Sequence, residues 1–371
     1  MAEYTDSKYI APPASLASLT APTLPYQPQN PKSYSPPIGL IGCGGITKDH
    51  LKAYRAAGYR VVALCDLQIE RAEARRQEFY PEADVYSDHR QLLKRDDIEV
   101  VDIALHPEVR SPIVRDALLA GKHVLSQKPF VLDLDEGREL LELAAKRNVT
   151  LAVNQNGRWA PHFSYIREAA AAGLLGPVNS VQIGVHWDHN WVKATQFDKV
   201  KHLILFDFAI HWFDFVMSIL GEAKPKRVFA SMVRSPGQVA QPALLAQALV
   251  EFPTAQASLL FNGDNRFGKH DQTVVTGELA TAISSGVNHN IQEVKLYAAD
   301  GVAIPQLHGS WFPDGFHGTM GELLCSIEEN RPPTISAESN LKSLELCFAA
   351  CASADRGEPV APGTVRRVSD S

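Results

Sequence analysis

Ile38-Gly-Leu-Ile-Gly-Cys-Gly-Gly-Ile-Thr47 decides how this chain is read. An apolar run, Ile38 to Ile41, ends in the turn Gly42-Cys43-Gly44-Gly45, and an amphipathic helix pattern follows at once. Strand, glycine-rich turn and helix start, in that order, are what a dinucleotide site needs. Gly42 permits the tight turn, and Gly44 lets a pyrophosphate approach the backbone. Gly45 and Ile46 lead into a helix whose N-terminus offers N–H groups and a positive dipole end. Thr47 stands where the fingerprint has Gly or Ala, so helix and strand must pack wider or the side chain must turn away.

Asp66 strengthens this reading. It follows the next apolar run, Val61 to Cys65, and lies 22 residues beyond Gly44. A carboxylate there takes the adenine ribose hydroxyls and repels a 2′-phosphate. Leu67 comes next rather than a base, so NAD is favoured over NADP, although Arg71 is close enough to count the other way. Asp66 also reads as an N-cap for a helix starting near Gln68, which is compatible with ribose binding.

Outward from this unit, residues 38–157 alternate short apolar strands with helices. Strands are expected at 38–42, 60–65, 99–105, 122–126 and 149–154, and helices at 47–57, 68–79, 87–94, 108–120 and 133–147. That rhythm predicts an α/β domain with a doubly wound parallel sheet of the Rossmann type. After 157 the rhythm changes. Extended segments at 178–187, 227–234, 244–252, 255–263, 270–276 and 291–298 are joined by Gly, Pro, Asn and Asp turns. They predict an α+β domain, 158–337, with a large open, mostly antiparallel sheet and helices near 161–172, 206–220 and 317–330. A last helix, 338–356, can pack back on the first domain, and 357–371 form a C-terminal tail.

Residues 1–37 hold eight of the 24 prolines, a spacing no helix tolerates. They read as a disordered tail or as an extended arm on a neighbouring subunit, with Tyr4, Tyr9, Tyr26 and Tyr34 as docking material. They lack the basic and apolar regions of a signal peptide. The net charge of −6 and the absence of a Lys/Arg run exclude a nucleic-acid footprint. No apolar stretch approaches the ~18–20 residues of a membrane span. Five cysteines without metal or disulfide spacing suit a reducing cytoplasm.

Two groups carry chemistry. Lys128, in Gln127-Lys128-Pro129, follows the strand at 122–126 and so stands at the carboxyl edge of the nucleotide-binding sheet. Its ammonium can hydrogen-bond a substrate hydroxyl and favour a developing alkoxide, and Pro129, in cis, would aim it. The bland alternative is a solvated Lys-Pro corner. Asp207 and His211, four residues apart on an expected helix, share a face. Imidazole beside carboxylate can accept an alcohol proton, or can be a buried histidine satisfied by its neighbour. The helix lacks a His-x-x-x-His pair, and no metal is expected.

Taken together, Gly42–Ile46, Gly121–Pro129 and Asp207–His211 resemble, in order, the motifs of the Gfo/Idh/MocA oxidoreductases. Gly318–Leu324, Asn330-Arg-Pro-Pro333 and the helix 338–354 resemble that family's C-terminal part. The resemblance covers about 38–360. It implies hydride transfer between a sugar or cyclitol carbon and NAD, and a homodimer or homotetramer formed through the open sheet. It implies that Lys128 is the catalytic lysine, His211 the general base and Asp207 its acidic neighbour. It places Asn154 at the cofactor and Arg158 at the substrate, where the alternative for both is joining the domains. Gln127 replaces the family's Glu and still contacts cofactor as an amide. Leu105-His106-Pro107 replaces the usual Thr-Pro, which puts His106 at the cofactor or on the surface.

Trp187, within His186-Trp187-Asp188-His189-Asn190-Trp191, offers an aromatic wall to a sugar ring, or packs at a subunit interface. The leading expectation is an NAD-dependent dehydrogenase of an aldose, such as a pentose including branched D-apiose, or of a cyclitol. It would yield a lactone or keto sugar. A redox-neutral glycoside hydrolase that retains NAD and a non-catalytic NAD- and sugar-binding regulator are the alternatives.

Overall fold

Between 37 and 154 the apolar runs form one parallel sheet in the computed structural model, which describes residues 16–221 and 223–368. Its strands are β2 (Pro37–Ile41), β3 (Arg60–Cys65), β4 (Asp84–Tyr86), β5 (Val100–Ile103), β6 (His123–Gln127) and β7 (Leu151–Asn154). The order β4-β3-β2-β5-β6-β7 is doubly wound, with its switch point between β2 and β5. Only β4, three residues long, was not expected from the sequence.

Helices α1 (Thr47–Ala56), α2 (Ile69–Phe79), α3 (His89–Leu93), α4 (Pro107–Leu119) and α5 (Leu134–Arg147) alternate with these strands. Local chemistry bounds α5: the Asp133 carboxylate accepts the Asp135 N–H, and Asn148 ends the helix at φ 55°. A second helical layer comes from the far end of the chain. Helix α8 (Asp314–Glu328) packs on α1, where Leu51, Tyr54, Phe316, Met320 and Leu323 share one core. Helix α9 (Ala337–Arg356) packs on α5 and β7.

The remaining strands form a nine-stranded sheet, ordered β1-β15-β14-β13-β12-β8-β11-β10-β9. They are β1 (Ser18–Leu19), β8 (Val178–His186), β9 (Arg227–Val233), β10 (Leu245–Glu251), β11 (Gln256–Asn262), β12 (His270–Gly277), β13 (Ala280–Asn288), β14 (Ile291–Ala298) and β15 (Gly301–Ala303). Pairing is antiparallel except at β8–β11 and β1–β15. Helices α6 (Pro161–Ala171), α7 (Ile210–Leu220) and α9 lie on one side, with α7 against β8 and α9 against β9. On the other side Phe229, Val233, Leu249 and Leu260 are exposed.

Strand β13 escapes the sequence reading because Ser284, Ser285 and Gly286 give it little β propensity. Its hydrogen bonds come from β12 and β14, which flank it.

Residues 16–36 lie along their own chain. Strand β1 pairs with β15, the Tyr26 ring meets Tyr165 edge-on at 5.9 Å, and the Tyr26 hydroxyl accepts the His308 N–H. Farther on, the Asn30 Oδ1 accepts the Tyr59 hydroxyl at 2.7 Å. The Glu328 carboxylate then receives the N–H groups of Lys32, Ser33 and Tyr34. The segment therefore runs from the edge of the large sheet to the Rossmann sheet. Prolines forbid a helix here, but the docking partners are distant in sequence. Tyr4 and Tyr9 lie outside the described residues. At the other end, residues 366–368 return to the first domain, where Val368 N–H donates to Leu132 O and Arg367 pairs with Asp133.

Candidate active site

The glycine turn sits at the carboxyl end of β2, on the switch point. Gly42 has φ +95°, and a Cβ there would lie 2.6 Å from the Ala104 carbonyl oxygen, so glycine is required. Gly44 and Gly45 have nothing within 4 Å of where a Cβ would be, which leaves the backbone open to a phosphate. Thr47 turns its hydroxyl back onto the Gly44 carbonyl, 2.7 Å away, and is fully buried. The departure from the fingerprint is thereby absorbed into the turn, which Arg75 also braces by donating to the same carbonyl at 2.9 Å.

Asp66 Oδ2 accepts the Cys43 N–H and Oδ1 the Gln68 N–H, each at 2.8–2.9 Å. Each oxygen keeps a further lone pair for a ribose hydroxyl. The open cradle, the helix N-terminus at Ile46 and this carboxylate fit NAD.

Lys128 projects from the end of β6, and the peptide bond to Pro129 is cis. Its Nζ lies 3.1 Å from Asp207 Oδ2 and 2.9 Å from the Asp207 carbonyl oxygen, with both side chains largely buried. The sequence expected a continuous helix presenting Asp207 and His211 together. Instead 204–208 form a π-helical turn, in which Ala209 N–H reaches back five residues to Ile204 O. The wider turn lets the Asp207 main chain and carboxylate both meet Lys128.

His211, on the first turn of α7, is buried, and its Nδ1 has no protein partner among the described residues. Burial, with smaller contributions from Lys128 and His289, pushes the imidazole well below its ordinary range. Burial therefore favours the neutral ring, which leaves a ring nitrogen with a free lone pair. Trp311 meets it edge-on at 5.3 Å. A Cβ on Gly157 would lie 2.9 Å from the Trp311 ring and 3.3 Å from His211 Nδ1, so glycine at 157 keeps room for both.

Gln127 and Asn154, at the ends of β6 and β7, are buried. Both amides approach His50 Nε2, at 3.4 and 3.5 Å, and His50 Nδ1 lies 2.7 Å from Asp102 Oδ2. Sequence reasoning missed His50 and Asp102, because a histidine on α1 and an aspartate inside β5 carry no motif. Arg110 was missed as well. Fully buried, it donates to the carbonyls of Leu105 and Phe130 and so ties together the loops after β5 and β6. Burial lowers its guanidinium to about 9.

Arg158 is held by groups other than the Lys128–Asp207 pair. Its Nε and Nη2 grip Asp214 at 2.6 and 2.9 Å, and Nη1 donates to Thr334 O at 2.6 Å. His106 sits at the N-cap position of α4 without a side-chain capping bond, and its ring lies 5.8 Å from Phe197. It lines a cavity of about 390 Å³ together with Phe197, His202, Asp207 and Val368.

Trp187, at the end of β8, stacks on His189 at 5.6 Å and meets Trp212 and His289 at 5.8 and 5.1 Å. His289, from the β13–β14 hairpin, meets Trp311 at 5.4 Å. The Asn290 Oδ1 of the same hairpin accepts the Trp311 main-chain N–H. The hairpin was invisible without β13. Burial lowers the pKa of His289, and that of His189 to about 4. Asp271, on β12, is raised by burial to about 7, with the Trp187 indole opposing the shift. Among the described residues no group of three or more His, Cys, Asp or Glu side chains could hold a metal ion.

An open glycine cradle and a lysine at the carboxyl edge of one doubly wound sheet, with a buried histidine from the helix that packs on the second, mixed sheet, mark an NAD-binding oxidoreductase. The chain belongs to the GFO/IDH/MocA family. Residues 37–155 match its model of the oxidoreductase family NAD-binding Rossmann fold, and residues 163–283 match a GFO/IDH/MocA C-terminal domain.

Among curated relatives, the chain is 29% identical to the D-apiose dehydrogenase of Paraburkholderia graminis, over 53% of this chain and 52% of that one. It is 25% identical to the inositol 2-dehydrogenase of Rhizobium meliloti, over 84% and 95%. It spans about half the length, or less, of the other first curated relatives it matches. An oxidoreductase from Agrobacterium radiobacter, solved with NAD+, L-tartaric acid and magnesium, shares the fold. Its TM-score is 0.79 at 19% identity, over 88% of this chain and 98% of that one. No helix among the described residues is long and apolar enough to cross a membrane.

Proposed function

We propose that the protein oxidises a hydroxyl carbon of a neutral sugar or cyclitol. NAD, when bound, supplies the hydride acceptor. The observation that carries this reading is the contact of Lys128 Nζ with Asp207, 3.1 Å away at the carboxyl edge of β6, beside the neutral His211. Lys128 donates to the substrate hydroxyl, Asp207 holds the ammonium in place, and His211 accepts the hydroxyl proton.

Charge compensation favours a neutral substrate. Lys128 is paired with Asp207 and Arg158 with Asp214, and burial keeps His189, His211 and His289 uncharged. A sugar acid or phosphate would meet no uncompensated cation among these groups. Trp187 and Trp311 suit the apolar face of a ring. A pentose such as D-apiose, or an inositol, fits this description, and the product is then a lactone or a keto sugar.

The same reading assigns 38–157 to cofactor and 158–337 to substrate, with the protein working in the cytoplasm. The exposed Phe229, Leu249 and Leu260, which opposed-residue pairing puts on one sheet face, would form a homodimer or homotetramer contact. The test is incubation of purified protein with NAD and a panel of aldoses, ketoses and inositols, reading NADH absorbance. Stoichiometric NADH with one sugar supports the reading. Bound NAD without NADH for any of them removes it.

A further inference from the structure

The buried group beneath Lys128 has a hydrogen-bond logic that fixes the charge of one histidine. His50 is fully buried on α1, with its ring over Phe316 at a centroid distance of 4.2 Å. Nδ1 lies 2.7 Å from Asp102 Oδ2, and the Tyr54 hydroxyl donates to the same oxygen at 2.8 Å. Nε2 faces the amides of Gln127 and Asn154, while Asn154 Oδ1 accepts the Thr319 hydroxyl at 3.1 Å.

Gln127 decides the orientation. Its Oε1 accepts the Lys128 backbone N–H at 2.8 Å, and that N–H can only donate. The Gln127 amide therefore cannot be turned over, and its NH2 must face His50 Nε2. Two donors cannot face each other, so Nε2 must be an acceptor and the ring proton must sit on Nδ1, against Asp102. Asn154 could turn, because Thr319 can donate or accept, whereas Gln127 could not.

We propose that His50, locked by Asp102 as the neutral Nδ1–H form, is a positioning residue for Lys128. It is the acceptor that holds the Gln127 amide, and the amide holds the main chain from which Lys128 projects. The importance of this for turnover rests on the role given to Lys128 above; the tautomer does not. The proposal also explains why an amide serves at 127. A carboxylate there would face the Nε2 lone pair, and only a second proton on His50 would relieve the repulsion.

The experiment combines nitrogen-15 NMR of the histidine rings in the full chain with kinetics of Gln127→Glu, which is nearly isosteric. In the wild type His50 should show a protonated Nδ1 and an unprotonated Nε2. In Gln127→Glu both nitrogens should be protonated. The variant's kcat should fall about 10- to 100-fold through misplacement of Lys128, in a chain that still folds. KM for the sugar should stay within about threefold. A wild-type His50 protonated at Nε2 overturns the proposal, and so does a Gln127→Glu variant with wild-type kcat. The ring signals need no turnover, so this failure is distinguishable from failure of the dehydrogenase reading, which Lys128→Ala judges.

Discussion

Asp214→Ala separates a structural Arg158 from a substrate-binding one. The Arg158 side chain is 9% exposed and that of Asp214 1%, and the pair is bidentate at 2.6 and 2.9 Å. Asp214 Oδ1 also accepts the Ser343 hydroxyl at 3.0 Å, so the carboxylate joins the 156–159 turn, α7 and α9. Burial disfavours the guanidinium charge, yet Asp214 more than offsets this and holds Arg158 above its ordinary value.

Removing the carboxylate leaves a buried cation with one carbonyl partner and orphans a serine hydroxyl. Breaking a buried pair in this way costs about 3–5 kcal/mol. At roughly 2–4 °C per kcal/mol, the melting temperature should fall by roughly 6–20 °C. Replacing both partners, Arg158→Met with Asp214→Leu, should recover much of that loss, because no charge is left uncompensated. Differential scanning calorimetry of the two variants is the assay. If Asp214→Ala melts with the wild type and only KM for the sugar rises, Arg158 is a substrate residue and the joint described here is wrong.

Four further outcomes are expected. Lys128→Ala should reduce turnover roughly 10²- to 10⁴-fold with NAD affinity nearly unchanged, which stopped-flow kinetics and cofactor titration would check. Gly157→Ala, whose Cβ would meet Trp311 and His211, should cost about 1–3 kcal/mol and lower kcat; a variant as active and as stable as the wild type would refute the close fit. Burial holds His162 at about 3 and His189 at about 4, so the unfolded chain takes up protons that the native state refuses. Stability should therefore be complete above pH 6.5 and fall as the pH drops towards 4 and 3, measured as melting temperature against pH. The Glu328 carboxyl, lowered to about 2 by the Lys32 N–H and then by Ser33 and Tyr34, should hold residues 32–34 fully above its ordinary 4.5 and release them as the pH falls towards 2. Glu328→Gln should expose this segment to protease at neutral pH, and equal cleavage rates would count against the contact.

Local chemistry made much of the first domain legible. The Val, Ile and Leu runs that became β2, β3, β5, β6 and β7 can be satisfied only by a sheet covered on both faces. Gly42 needs a backbone that other residues resist, so the turn after β2 could be read before any contact was known. Asp66 and Lys128 could be singled out as candidates by their distance from strand ends, because parallel strands send their carboxyl ends to one edge.

The second domain was legible in its alternating strands but not in β13, whose Ser284, Ser285 and Gly286 become a strand only between two partners. The His289 and Asn290 hairpin went unseen with it. By itself the sequence determined the sheet types, the cofactor turn and the candidate lysine, histidine and aspartate, since each depends on neighbours a few residues away. Only the tertiary structure decided that Asp207 faces Lys128 across 79 positions and that Arg158 closes on Asp214 across 56. It alone decided that His50 faces Gln127 and that residues 16–36 lie along their own chain. Those pairings depend on how two domains meet, and burial sets their strength. Neither quantity is carried by residue spacing.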